Sequence, residues 1–376
     1  MSDINTGIGR AFVRDRYLPQ SPPPPSTTGI IGWLRENLFS SPLNAALTLA
    51  SFYLLYLIIP PFFDWAFLES GWFGKSNKSC SDLSGACWAV VTARFGQFVF
   101  GFYPEDERWR PILVVIIFAI NLAPILWDRI PGRMYAAIFV VTGFPILSMF
   151  LLYGGFGLPL VPTPKWGGFM LNLIMASVAI IYSLPIGILL ALGRRSEFPI
   201  ISRFCVFFIE FWRGVPLITV LVMASFMLPF FLPDGVNFNE LLRALVGLTL
   251  FSSAYMAEVV RGGLQALPAG QSEAARAMGL TYWQSMRLII LPQALTVTIP
   301  AIVNTFIGLF KDTSLVIVIG LFDILQVAKS SVTDPNWLGL EHEAYIFVAL
   351  IFFFSCFAMS RYSLWLERKL DTSHRN

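Results

Sequence analysis

The sequence predicts an all-α, polytopic membrane protein. Of its 376 residues, 56% are hydrophobic and only 13% are charged, which is too little polar surface for a soluble globule. The apolar residues also fall into stretches close to the roughly 20 residues that a helix needs to cross the hydrocarbon core. Composition and stretch length together predict about eight membrane-spanning helices.

Eight stretches qualify as predicted spans, numbered one to eight in chain order. They cover residues 45–63, 111–127, 135–153, 168–192, 204–232, 241–260, 294–310 and 344–366. The first of them is also the expected insertion signal, because the chain before it lacks a cleavage site of small residues and begins its first apolar run too late for a signal peptide.

The chain divides into three predicted parts. Residues 1–34 form a cytoplasmic tail, in which the run 21–28 is a polyproline-prone linker that cannot pack a core. Residues 35–160 form a three-helix membrane extension with a long exterior loop over 64–110, and residues 161–376 form a five-helix membrane domain. In the exterior loop, the aromatic-rich run 88–102 is interrupted by Arg94 and Gln97, so we expect it to lie in the outer interface and not to span.

The placement of lysine and arginine predicts the orientation. With the N-terminus inside, most basic residues fall in interior segments, as the positive-inside rule requires. Both termini and the polar segment 261–293 are therefore expected in the cytoplasm.

That polar segment is the most informative part of the chain. Residues 271–278 are good helix formers with small alanine side chains, including Ala274 and Ala275 beside Glu273, and Gly279 follows as a helix-ending residue would. A short helix with a low profile can enter a cleft on a partner protein. Pro268 and Pro292 are expected to limit the helices on either side, which would leave the short helix lying across the membrane normal.

Charged residues at membrane depth form a second set of candidates, because each is costly there unless it is paired or faces a cavity. Glu210 and Arg213 are three residues apart, as are Glu258 and Arg261, and residues at this spacing share a helix face. Either pair could be a structural ion pair or part of a gate near the inner mouth. The run Lys311, Asp312, Thr313 and Ser314 interrupts the seventh span and should line the translocation path or a subunit interface.

Cysteine and histidine usage leaves little room for a cofactor. Cys80 and Cys87 lie in the exterior loop, where an oxidising compartment would allow a disulfide, although two free thiols remain possible. The chain has only two histidines and no cluster of cysteine and histidine, so neither a metal site nor a haem is supported. The run 341–343 could chelate a metal weakly, but a solvated helix start is the better interpretation.

The run 74–76 reads Gly-Lys-Ser, but it lacks the glycine five residues earlier that a phosphate-binding loop needs.

Several of these motifs resemble one family. The residues Glu273, Ala274, Ala275, Gly279, Leu291 and Pro292 match, in spacing, the cytoplasmic loop of bacterial ABC importer permeases. The runs 210–216, 257–263 and 311–315 resemble permeases of the polar amino-acid family, and 40–44, 87–89 and 101–110 resemble the extension found in general L-amino-acid importers. The chain is accordingly similar to a permease subunit of such an importer over all but about its first thirty residues.

The resemblance implies a function and a set of partners. The short helix would be the coupling helix that docks on an ATPase subunit, and the chain would move L-amino acids by alternating access in the bacterial inner membrane. Its partners would be a homologous second permease, a dimer of ATP-binding subunits and a periplasmic amino-acid-binding protein, with membrane lipid around it and no nucleic acid. ATP and magnesium would be bound by the ATPase, leaving this chain with no catalytic residue and no cofactor.

Two alternatives come from other classes. An ion-coupled secondary transporter could have eight spans and intramembrane charges, but it would need internal inverted repeats and would gain nothing from an alanine-rich docking helix. A cofactor-bearing membrane enzyme is disfavoured because histidine ligation is not available.

Overall fold

The computed structural model describes residues 29–127, 130–233 and 238–370, so the predicted proline-rich linker lies outside the described residues. The described chain is mostly helical and divides into two compact units, with the boundary along the chain between Glu69 and Ser70. The predicted boundaries of the tail, the extension and the five-helix domain stay a prediction.

The first unit contains the first predicted span. Helix α1 covers Gly29–Asn37 and helix α2 covers Pro42–Phe63, continuing as a π-helical turn over Asp64–Leu68. The hydroxyl of Ser41 accepts a hydrogen bond from the backbone N–H of Asn44 at 3.1 Å and thereby caps the start of α2. The continuous run Pro42–Leu68 is long and apolar enough to cross a membrane.

The second unit contains the other seven predicted spans. Six described helices or helical runs in the chain have the length and composition of a span, and two bent pairs bring the number to eight. In the second unit the helices are α3 Ala89–Phe100, α4 Trp109–Leu126, α5 Arg133–Val141, α6 Gly143–Tyr153, α7 Gly168–Arg194, α8 Pro199–Gly214, α9 Leu217–Val222, α10 Glu240–Ala266, α11 Ala269–Ala277, α12 Tyr282–Ser285, α13 Leu291–Asp312, α14 Ile324–Val332 and α15 Glu341–Leu370. The all-α membrane fold predicted from sequence is confirmed.

The third and fifth predicted spans are bent and not straight. Helices α5 and α6 meet at 51°, and α8 meets the run Leu217–Phe231 at 102°. The sharper bend occurs where Val215 adopts extended backbone angles (φ −107°, ψ 132°) before Pro216. A residue that precedes proline is pushed out of the helical region, so the proline turns the chain here. The predicted span over 204–232 therefore corresponds to a bent pair of helices and not to one straight helix.

Helix α3 occupies the aromatic-rich run of the exterior loop. Its 12 residues extend about 18 Å at 1.5 Å per residue, well short of the hydrocarbon core. It packs against α7, α14 and α15, and Phe98 is fully buried in that contact. The prediction that this segment does not span is confirmed.

The segment 70–88, predicted to be exterior, is attached to the loop between α14 and α15 and to the start of α15. The backbone N–H of Asn77 donates to the carbonyl of Asn336 at 2.7 Å, and the N–H of Cys87 donates to Oε1 of Glu343 at 2.9 Å. Cys80 and Cys87 are joined in a disulfide. Because Glu343 is buried and bonded, only the first two residues of the run 341–343 fit the solvated helix start expected from sequence.

The centre of the second unit is the packing of α7 against α10, the most extensive helix contact in the described chain. The two backbones approach closely at Gly187, where an added Cβ would lie 2.7 Å from Cβ of Met256. Helix α13 packs on α10 in turn, so α10 connects the middle of the unit to the polar hairpin that follows it.

Candidate functional site

The polar hairpin between α10 and α13 is closed by two well-formed helix caps. Gly279 has φ +76°, its N–H donates to the carbonyl of Arg276, and the N–H of Leu280 donates to the carbonyl of Ala275. This pair of bonds is the Schellman motif, which favours glycine because the left-handed backbone costs about 1–2 kcal/mol for other residues. Thr281 then begins α12 with a capping box to Gln284.

Helix α11 exposes the small side chains that the sequence predicted. Glu273, Ala274 and Ala277 are exposed, whereas Ala275 is only 1% exposed and packs inward. Large apolar side chains beside the helix are also exposed: they are Met278 (78%), Trp283 (67%) and Leu288 (64%). This hairpin combines a low-profile helix with exposed apolar side chains, which on a protein surface are typical of an interaction site.

Pro292 does not end the following helix, contrary to the sequence prediction. The chain is helical from Tyr282 to Ile319, and Pro292 lies near the start of α13. A π-helical turn over Met286–Ile290 immediately precedes Leu291 and Pro292. The wider turn relieves the clash that a proline ring makes with the carbonyl four residues earlier, so the helix continues.

A cluster of five charged residues joins the ends of α7, α8 and α10. The carboxylate of Glu258 is only 15% exposed and lies 2.7 Å from Nη1 of Arg194, 2.6 Å from Nη2 of Arg261 and 3.7 Å from Nη1 of Arg213. Glu210, which is 55% exposed, lies 3.2 Å from Arg194. Glu258 is thus the shared partner of three guanidinium groups.

The cluster differs from the two separate pairs that the sequence suggested. Glu258 and Arg261 do pair, but Glu210 pairs with Arg194 and Arg213 reaches Glu258 instead. Sequence spacing identified the partners on one helix only. It missed Arg194, whose role depends on α7 and α8 crossing, although its position at the end of an apolar span was a usable signal.

The run Lys311 to Ser314 ends α13 and contains no ion pair among the residues that the structure describes. Lys311 is exposed and Asp312 is partly exposed. Successive helical side chains diverge by about 100°, so neighbours in sequence do not face each other. Whether this run lines the translocation path or a subunit interface stays a prediction.

Thr313 is the buried member of that run and belongs to a polar network. Its hydroxyl donates to the carbonyl of Phe310 at 2.7 Å and accepts from Nδ2 of Asn172 at 2.9 Å. Oδ1 of Asn172 accepts the N–H of Ile324 at 3.0 Å. The network fixes the end of α13 to the first turn of α7 and the start of α14.

Asp323 completes the network without a cationic partner among the described residues. Its carboxylate caps α14 by accepting the N–H of Gln326 at 2.9 Å, and it lies 3.5 Å from Nδ2 of Asn172. Burial raises the pKa of Asp323, and hydrogen bonds from the backbone and from Asn172 oppose that rise. Sequence reasoning missed both Asn172 and Asp323, since neither has a charged neighbour that marks it.

No cluster of three or more metal-binding side chains occurs in the described parts of the chain. The run 74–76 lies in the exterior segment and forms no glycine-rich loop before a long helix. The features with functional potential are therefore the polar hairpin, the Glu258 cluster and the network around Asn172.

Long apolar helices, a capped polar hairpin with an exposed small-residue helix, and a charge cluster shared by three helices define an integral membrane protein of the transporter class. Residues 183–372 match the binding-protein-dependent transport system inner membrane component family. The chain belongs to that family and is a multi-pass inner-membrane protein.

Relatives of full length are also similar. The chain is 52% identical to the inner membrane amino-acid ABC transporter permease protein YhdY of Escherichia coli K12, over 94% of this chain and 96% of that one. It is 43% identical to the glutamate/glutamine/aspartate/asparagine transport system permease protein BztC of Rhodobacter capsulatus, over 97% of this chain and 99% of that one. A crystal structure of an amino acid ABC transporter with histidines is 33% identical, covers 54% of this chain and 92% of its own, and superposes with a TM-score of 0.48. By name, both full-length relatives are permease proteins of amino-acid transport systems.

Proposed function

We propose that this chain is the transmembrane permease subunit of an ATP-driven importer that passes L-amino acids from a periplasmic binding protein into the cytoplasm. The observation that carries the proposal is the capped hairpin after α10, whose exposed alanine helix is suited to a cleft on an ATPase subunit. The motor is a separate subunit, and ATP and magnesium bind there. A second, homologous permease completes the membrane part of the complex.

The charge distribution supports an orientation with both termini and the hairpin in the cytoplasm. The ATPase then meets α11, while the binding protein meets the side that carries the disulfide of Cys80 and Cys87. Closure of the ATPase dimer moves the hairpin, and α10 and α13, which flank it, transmit that motion to the core. Alternating access requires such a rigid connection because the docking surface and the path are far apart.

The Glu258 cluster lies where this motion would be transmitted. It ties α10, which leads into the hairpin, to the ends of α7 and α8 through three guanidinium groups. A cluster with more cations than carboxylates can exchange partners as the helices move. It therefore serves as a candidate latch at the inner side of the core.

Cross-linking tests the docking role of the hairpin. Ala277→Cys places a thiol on the exposed face of α11, and Ala93→Cys places one on the exposed face of α3 as a matched control. We expect a short bifunctional reagent to join the first variant to the ATPase subunit, with a yield that changes when ATP is added, and to leave the control unlinked. Equal yields from both positions would contradict the docking role.

A further inference from the structure

A cavity of about 440 Å³ lies between α8, α10 and the run Leu217–Phe231 of the second unit. Its walls are almost entirely apolar and include Trp212, Met223, Met227 and Val246. One charged side chain, Arg243, also lines it, and none of the described lining residues is acidic. An apolar cavity with a single cation at its edge is unusual because a buried charge is costly without a partner.

Arg243 is built into this position by the fold. It is only 7% exposed, and Nη1 donates to the carbonyl of Ser225 in the π-helical turn Met223–Met227. In a regular helix the carbonyl of Ser225 would accept the N–H of the residue four positions later. That residue is Pro229, which has no N–H, so Arg243 supplies the missing donor. This bond fixes the guanidinium group beside the cavity.

The guanidinium retains binding capacity after that bond. Its Nε is buried without a hydrogen-bond partner, as is the hydroxyl of Ser225. Buried donors of this kind are rarely left unpaired in a native structure. A charged donor with a free N–H beside an apolar cavity is suited to an anion that carries an apolar chain.

The chemistry of the lining identifies the class of ligand. A free amino acid carries an ammonium group as well as a carboxylate, and the described lining offers no carboxylate to pair with the ammonium group. An acyl chain with an anionic head satisfies both parts of the cavity, since the chain contacts the apolar walls and the head pairs with Arg243. Arg243 lies in the first turn of α10, so such a head would sit near the N-terminal end of that helix and the acyl chain would run along the helix.

We propose that this cavity is a binding site for an anionic phospholipid, with its phosphate on Arg243 and one acyl chain between α8 and α10. The site is separate from the docking hairpin and from the Glu258 cluster, and it does not depend on which substrate the transporter carries. Its occupant stabilises the bend between α8 and the following run, because both sides of the bend contribute walls.

Photo-cross-linking on the purified, intact complex tests the site. The probes are phosphatidylglycerol and phosphatidylethanolamine that carry the same photoreactive acyl chain, followed by peptide mapping of the segment 217–231. We expect phosphatidylglycerol to label this segment about tenfold more than phosphatidylethanolamine, because the ammonium group of phosphatidylethanolamine would find no carboxylate in the described lining. Equal labelling of the wild type by the two lipids would overturn the proposal without recourse to any variant.

Two variants separate charge from structure. Arg243→Gln keeps a polar N–H donor and removes the charge, whereas Arg243→Lys keeps both a donor and the charge. We expect the preference for phosphatidylglycerol to disappear in the first and to persist in the second. An unchanged preference in Arg243→Gln, or lipid labelling of the second permease instead of this segment, would also reject the lipid assignment.

Discussion

Replacing Glu258 by glutamine removes the carboxylate that three arginines share. Two of its contacts, to Arg194 and Arg261, are within hydrogen-bond distance at 2.7 and 2.6 Å, and the third is longer. Breaking a buried pair costs about 3–5 kcal/mol, whereas exposed pairs contribute about 0–1 kcal/mol. Because Glu258 is 15% exposed and its partners are 26–36% exposed, we expect an intermediate loss of about 2–4 kcal/mol.

The matched control is Glu210→Gln. Glu210 is 55% exposed and has one contact at 3.2 Å, so we expect its loss to cost less than about 1 kcal/mol. The assay is the temperature at which the detergent-solubilised complex loses its monodisperse elution peak, measured for both variants. Two independent pairs, as sequence spacing alone suggests, would give two similar losses. A Glu210→Gln loss equal to or larger than that of Glu258→Gln would therefore refute the shared cluster.

Three further predictions follow from local features. Gly279→Ala should lower recovery of the ATPase-bound complex about fivefold or more, because alanine resists the φ of +76°. The control Gly270→Ala, in helix α11, should have no effect. Equal recovery of the two variants would contradict the capping role. Thiol labelling should modify Cys80 and Cys87 only after reduction, and ready labelling of the unreduced protein would reject the disulfide. The pKa of Asp323 is raised in the folded protein, so the charged carboxylate opposes folding. The contribution of Asp323 to the free energy of unfolding should therefore fall as the pH rises from 3.8, its ordinary pKa, through its raised pKa in the folded state. Asp323→Asn should remove that slope at pH values above 3.8 in thermal unfolding, and an unchanged slope would show that other groups cause it.

The spans were predictable from sequence because the bilayer imposes a length and a composition on every crossing helix. The polar hairpin was predictable for a local reason: alanines favour a helix and Gly279 supplies the left-handed turn that ends it. These features depend on a few neighbouring residues and need no knowledge of the packing.

The features that sequence reasoning missed depend on contacts between distant segments. The pairing of Arg194 with Glu210 and Glu258 requires three helix ends to meet, and the network connects Asn172 to Thr313 and Asp323, which are 141 and 151 positions away. The passage of the helix through Pro292 required a π turn that no residue pattern specified. Arg243 was visible as a lone cation in an apolar stretch, but its carbonyl partner could only be identified from the fold.

The most direct test of the proposed function is uptake into proteoliposomes that contain this chain with its second permease, its ATPase subunits and its binding protein. We expect accumulation of labelled L-amino acids that requires ATP and the binding protein, persists when ion gradients are dissipated, and falls when Gly279 is replaced by valine. Accumulation driven by an ion gradient in vesicles that lack the ATPase subunits would contradict the account and identify a secondary transporter.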